Sequence, residues 1–442
     1  MADYDLAIIG GGLNGISVAR DAAGRGLRVI LLEQGDLGSA ASSASPRLIH
    51  GDLAMLERWA FLRVRAALAE RDIWLRIAPH LVRPMRFALP AHSEERPPWL
   101  LRSGLWLYDR LGSARNLPGS ATVDVTHHPI GNALKRPFGT AFEYSDCVVD
   151  DSRLVIANAL DAAERGAVIR TGARCVRADR LATWRLVVID RGRRQVITAR
   201  ALANATGAWT ASVAEIVLSM PPPRAGAFQI SHIIVGRLFD TDNIYVFQNV
   251  DRRLVFASPY IRTVSGANMG VSSRTRGTAS DGAITFDARR GKAPLLTIFG
   301  GDITTSRLRA ERAVSKLAPF YPMSPRWTAN TPLPGGDFEW ARFEAEVDRT
   351  RERWRFLSEA EAQRLVGAYG TRVAAVLGEA KERSDLGPAF GPELSGAEVR
   401  YLMAKEWARF PDDILWRRTK LGMTMPPADR EALGAFMANA HV

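Results

Sequence analysis

Cysteine is nearly absent: 442 residues hold two, Cys147 and Cys175. With no Cys-x-x-Cys pair and no histidines spaced as ligands, neither a disulfide framework nor a metal site is expected, and a reducing, cytoplasmic setting fits. Also lacking is an uninterrupted apolar run of membrane-spanning length. The first residues carry Asp3 and Asp5 where a secretory leader carries Lys or Arg. Any membrane contact is then peripheral. Acidic residues are the minority, 47 against 59 Lys and Arg, and the net charge of +12 favours phosphate-rich or anionic partners. The basic residues are spread along the chain and form no recognised nucleic-acid-binding motif, so nucleic acid is not an expected partner. What remains, 47% hydrophobic and 24% charged, describes a globular protein too long for one compact core.

The first 35 residues read as strand, turn, helix and strand. Leu6 to Ile9 is a short apolar run, Gly10-x-Gly12-x-x-Gly15 is the turn, Ile16 to Gly24 can be helical, and Arg28 to Glu33 returns as a strand. Such alternation favours a parallel α/β sheet. Gly10, Gly12 and Gly15 allow a tight turn and close backbone approach, so that the helix N-terminus faces a pyrophosphate, while Glu33 stands where ribose hydroxyls need an acceptor. This fingerprint does not separate nicotinamide from flavin. Three later segments favour FAD: Ala40 to Ser45, with the hydroxyls of Ser42 and Ser43; Asn204-Ala-Thr-Gly207; and Phe299-Gly300-Gly301, leading through Thr304-Thr305 into a helix that ends at Lys316. The positive end of that helix suits a reduced flavin.

Leu62, Ala66, Ala69, Ile73 and Ile77 recur at helical spacing and predict an apolar face, and prolines from Pro79 to Pro98 mark departure into a second lobe. Strand-like runs at 185–189, 201–205 and 295–299 return to the sheet. After Pro332-Leu-Pro-Gly-Gly336 the pattern is helical, with Val399, Leu402, Met403, Trp407 and Phe410 expected on one face. The reading is an α/β protein: a Rossmann-like FAD-binding domain (about 1–75, 146–212 and 284–325) interleaved with an α+β cap or substrate domain (about 76–145 and 213–283), then a helical domain over 326–442. Trp99 to Tyr108 is rich in large apolar groups; it suits either cap core or a lipid interface, with Trp and Tyr at headgroup level and Arg102 and Arg110 beside anionic lipid.

Gly24-Arg-Gly-Leu27, Ser42-Ser-Ala-Ser45, Leu48-Ile-His-Gly51, Ala78-Pro-His-Leu81, Pro84-Met-Arg-Phe87, Glu143-Tyr-Ser-Asp-Cys147, Ser231-His232-Ile233, Ser384-Asp-Leu-Gly387 and Leu415-Trp-Arg-Arg-Thr-Lys420 occur in order. With these motifs the chain resembles the FAD-dependent glycerol-3-phosphate dehydrogenases that feed electrons to quinone. The resemblance implies FAD, a small phosphorylated substrate oxidised to dihydroxyacetone phosphate, a membrane quinone as acceptor and an anionic membrane face; a homodimer is compatible with it. It places His232 and His50 near the flavin as catalytic candidates, His232 preferred, and offers Arg47 and Arg307 as phosphate contacts. The chain departs from the family at Ala54 and Met55, where relatives carry Arg and Tyr, at Asp302 in place of Lys, and between about Met269 and Ala283, where a few dozen residues are missing. Arg262, Arg274 and Arg276 flank that gap. These departures motivate a second reading, an impaired flavin-binding relative with an interaction role. A flavin-dependent amino acid oxidase is a third.

Overall fold

The structure is a computed structural model, described over residues 2–91, 97–112, 117–134, 139–223, 230–236, 239–248, 254–259, 268–274 and 283–440. Its first sheet runs in the order Ile284–Asp287, Leu295–Ile298, Arg193–Asn204, Tyr4–Ile9, Val29–Glu33, Val168–Thr171. The four pairings from Leu295–Ile298 across to Val168–Thr171 are parallel, as the strand-helix-strand pattern requires. Leu6 and Ile8 join one apolar cluster and Ala7 and Ile9 another, so both faces are covered and the run carries no polar alternation. Helix Leu13–Gly24 lies against helix Asp151–Glu164 on one side and Ser306–Ser315 on the other. The run at 185–189 belongs to an antiparallel meander, Ala173–Arg180 with Trp184–Asp190, attached to the long Arg193–Asn204 strand.

The second sheet forms the cap. Strands Val82–Pro90 and Thr140–Val149 are its antiparallel centre, flanked by Leu48–Ile49 and Ala121–Asp124 on one side and by Ile244–Gln248, Leu254–Pro259, Asn268–Arg274 and Ile230–Gly236 on the other. Helices Phe61–Ile77 and Pro98–Leu111 pack together beside it. The expected apolar face of the first helix is corrected: Leu62 is 82% exposed, and the buried side chains are Val64, Ala67, Leu68, Glu70, Arg71, Trp74, Leu75 and Ile77. Spacing missed this because Glu70 and Arg71 are buried as ion-paired groups, which an apolar template scores as surface.

Residues from 343 onward build a core of their own from helices Phe343–Arg353, Glu359–Tyr369, Gly396–Lys405 and Pro427–Ala440. Val399 and Leu402 are buried there, but Trp407 adopts a left-handed conformation beyond the helix and Phe410 is 62% exposed, so the five expected residues do not share one helical face. Among the described residues, charged ties bind this unit to the helix and loop beside the first sheet: Arg153 to Glu406, Arg372 to Glu164, Lys420 to Asp151, and Arg417 with Arg418 to Asp36.

Candidate active site

The glycine turn crosses the C-terminal edge of the parallel strands. Gly10 has φ +110°, and a Cβ there would lie 2.6 Å from the Ala205 carbonyl oxygen; at Gly15 one would lie 1.9 Å from the Gly10 oxygen. Both are glycine because backbone packs on backbone. Gly12 differs: a Cβ there would meet only the Ser42 hydroxyl, at 3.0 Å. That hydroxyl accepts the first helical N–H, of Leu13, at 3.0 Å, and so stands where a phosphate oxygen would bind. Ser43 turns instead to the Ala40 carbonyl. Glu33 ends its strand accepting the N–H groups of Gly11 at 2.7 Å and Gly35 at 2.8 Å, which orients the carboxylate beside the turn. On the neighbouring strand Asn204 ties down Thr206 and Thr210, leaving Gly207 at φ +58° with nothing near its missing Cβ. A bare glycine cradle, a hydroxyl occupying an oxygen position and an acceptor at the strand end fit a dinucleotide of the FAD type.

The other wall is the Gly300-Gly301 loop. Asp302 accepts both the N–H and the hydroxyl of Thr305 at 2.7 Å, and so caps the turn into helix Ser306–Ser315. Its charge is also 3.8 Å from Arg309. Arg309 bonds Asn14 Oδ1 at 2.7 Å and Thr305 Oγ1 at 2.9 Å, while Asn14 donates to the Gly300 carbonyl at 3.0 Å. Gly301 is at φ +93°, which L side chains rarely adopt, and a Cβ there would also have to displace the Arg309 guanidinium, 2.1 Å away. Sequence reasoning missed Asn14 and Arg309, which are 295 residues apart. Thr304 is buried; its hydroxyl accepts the His50 N–H at 3.1 Å and its carbonyl accepts the Trp74 indole N–H at 2.8 Å.

His50 therefore lies beside the Thr304 loop. Its Nδ1 accepts the Asp52 N–H at 3.2 Å, so the neutral imidazole carries its proton on Nε2. His232 lies in the cap strand Ile230–Gly236 opposite Ser272; its side chain is outside the described residues, as are Arg262, Arg276, the side chain of Arg274 and most of the 269–283 stretch. Ala54 and Met55 occupy a short turn, Leu53–Arg58, directly after the His50–Gly51 pair. Arg47, at φ +58°, leans on buried Asp151 at 3.6 Å.

Arg307 is corrected. It is 5% exposed and donates twice to Glu70, at 2.9 and 2.5 Å, and to Glu311 and Thr328. A guanidinium with four donors so committed inside the helix packing holds the fold together and is not free to clamp a phosphate.

A glycine turn at the C-terminal edge of a doubly covered parallel sheet, with a second sheet interleaved in the chain, is the architecture of an FAD-dependent oxidoreductase. The family model described as "FAD dependent oxidoreductase" matches residues 5–343, and that of the "C-terminal domain of alpha-glycerophosphate oxidase" matches 326–439. Among curated proteins, the chain is 39% identical to a glycerol-3-phosphate dehydrogenase of Pseudomonas aeruginosa, over 99% of this chain and 96% of that one. It is 37% identical to the D-erythritol 1-phosphate dehydrogenase of Brucella abortus (99% and 98%) and 38% identical to the aerobic glycerol-3-phosphate dehydrogenase of Escherichia coli (96% and 95%). The solved glycerol-3-phosphate dehydrogenase of Bacillus halodurans complexed with FAD has the same fold, with TM-score 0.73, 22% identity, and coverage of 99% of this chain and 90% of that one. The chain belongs to the family of FAD-dependent glycerol-3-phosphate dehydrogenases.

Proposed function

We propose that the protein oxidises the secondary alcohol of sn-glycerol 3-phosphate to dihydroxyacetone phosphate and passes the two electrons to a membrane quinone. The observation that carries this is the match of nearly the whole chain to relatives of that activity, including both family models. Bound FAD supplies the hydride acceptor. The protein's own task is to hold the alcohol and take its proton. Because the His50 Nδ1 lone pair is engaged by Asp52 N–H, His50 serves as a donor through Nε2, and proton acceptance falls to His232. The test is anaerobic: the purified yellow protein should bleach with sn-glycerol 3-phosphate. Bleaching only by D-erythritol 1-phosphate would move the substrate to the other named relative, and bleaching by neither would remove the activity.

A second reading, reduced turnover, is supported by Ala54. A dianionic phosphate needs charge-assisted donors, and neither Ala54 nor Arg307, locked to Glu70, provides one. Steady-state kinetics should find slow wild-type turnover that Ala54→Arg raises. Efficient wild-type turnover, unchanged by the added arginine, would end this reading.

Among the described residues no helix is long and apolar enough to cross a membrane. For the quinone we propose a docking face on the two packed cap helices and the turn before them. Trp59, Leu62, Trp99, Leu100 and Trp106 are 80, 82, 69, 47 and 56% exposed, with Arg58, Arg65, Arg102 and Arg110 exposed on the same elements. Arg110 stacks on Trp106 at 4.2 Å. The sequence expectation is corrected in one respect: Tyr108 points inward and is 1% exposed, so it does not sit at headgroup level.

A further inference from the structure

Helix Pro98–Leu111 turns Leu105 and Tyr108 inward. The Tyr108 hydroxyl accepts the Gly51 N–H at 2.7 Å and donates to Asp146 Oδ2 at 2.7 Å. A backbone N–H can only donate, so the direction of this chain is fixed and the phenol proton belongs to Asp146. Asp146 Oδ1 in turn accepts from Arg71 Nη1 at 2.9 Å, and Arg71 is held by the Ser145 carbonyl and by Asp72. Burial and the Asp146 charge hold the Tyr108 phenol well above its usual pKa, so it stays a donor.

The contact leaves no slack. A Cβ on Gly51 would sit 2.6 Å from the Tyr108 oxygen and 2.7 Å from Leu68 Cδ2. Residue 51 is bare so that the backbone can rest on the phenol. Each N–H of the 50–52 turn has a separate partner: His50 on Thr304 of the nucleotide-binding domain, Gly51 on Tyr108 of the cap, and Asp52 on the His50 ring. The turn is thereby suspended between the two domains, with the imidazole at its centre.

We propose that Tyr108, braced by Asp146 and Arg71, is a positioning residue for the oxidation: it sets where the His50 turn stands between the cap and the cofactor loops. A phenylalanine would fill the same apolar space but would leave the Gly51 N–H without its acceptor. The inference rests on His50 serving the reaction.

The test uses the holoenzyme and whichever polyol phosphate bleaches the wild type. Tyr108→Phe should lower kcat and the rate of substrate-driven flavin reduction by about tenfold or more, since small displacements of a reacting group carry large rate losses. KM, flavin occupancy and reduction by dithionite should stay near wild type. Leu105→Ala, which removes packing from the same inner face and spares the hydrogen bonds, should lower the melting temperature with little loss of kcat. An unchanged kcat in Tyr108→Phe, or an equal loss in Leu105→Ala, would overturn the proposal. Should Tyr108→Phe fail to fold, Asp146→Asn keeps an acceptor for the phenol while loosening Arg71; a fall in kcat supports the proposal and a wild-type kcat overturns it. His50→Ala separates the two layers: full activity there defeats the role of His50 itself, whatever Tyr108→Phe shows.

Discussion

Valine at position 12 would push a branched side chain against the Ser42 hydroxyl and over the exposed start of helix Leu13–Gly24. Flavin occupancy of purified Gly12→Val should fall severalfold, read from the ratio of visible to ultraviolet absorbance; wild-type occupancy would displace the pyrophosphate from this turn. Glu33→Ala should act in the same direction, because it frees the Gly11 and Gly35 N–H groups that the carboxylate now gathers. The strand, turn and helix that carry these residues were legible because a strand, three glycines and an acid fall within one short stretch whose spacing is itself the geometry. Arg307 was misread for the opposite reason: Glu70, its partner, is 237 residues away, and nothing in a string of letters distinguishes a guanidinium with four bonds from one that is waiting for phosphate. Asn14 and Arg309, or Tyr108 and Gly51, are invisible on the same ground. Asp302, which stands in place of a family lysine, is the cap of the turn at Thr305.

The helices and turns repeat this at larger scale. Helix Phe61–Ile77 forms where the spacing predicts one, but its buried face could not be read, since Glu70 and Arg71 lie among its enclosed side chains. The turn after it holds His80, 2% exposed, with no hydrogen-bond partner for Nδ1 among the described residues and with Arg153, Arg83 and Arg372 nearby. Burial first, and then those cations, depress its pKa from 6.5 to about 3. The folded state therefore keeps this ring neutral while the unfolded chain protonates it below 6.5, so stability is lost as pH falls, by about 1.4 kcal/mol per unit. Thermal melts between pH 6 and 5 should approach that slope in the wild type and show a flatter one in His80→Leu. Helix Pro98–Leu111 divides cleanly, Tyr108 and Leu105 inward and Trp99, Arg102, Trp106 and Arg110 outward. Co-sedimentation with anionic vesicles should be retained at low salt, weaken as salt screens the arginines, and drop in Trp99→Ala/Trp106→Ala. An absence of binding at low ionic strength would remove the docking face.

At the scale of the molecule, the loop that leaves Glu33 ends at Asp36, which is 8% exposed and receives Arg417 and Arg418, the latter's Nη2 at 2.7 Å. Removing one partner of so enclosed a pair typically costs about 3–5 kcal/mol. Arg418→Ala should therefore lower the melting temperature and loosen FAD together, seen as rising flavin fluorescence at the same temperature as loss of helical signal. Separate transitions would mean that the adenosine side stands without its arginine tie. The tie also orders events during synthesis. A ribosome delivers the glycine turn long before Arg417 and Arg418, so the nascent chain has its strand and helix well before the loop after Glu33 acquires its anchor. Cofactor capture should accordingly wait for that anchor, and ribosome-stalled chains ending before residue 417 should take up little flavin even when their first sheet has formed.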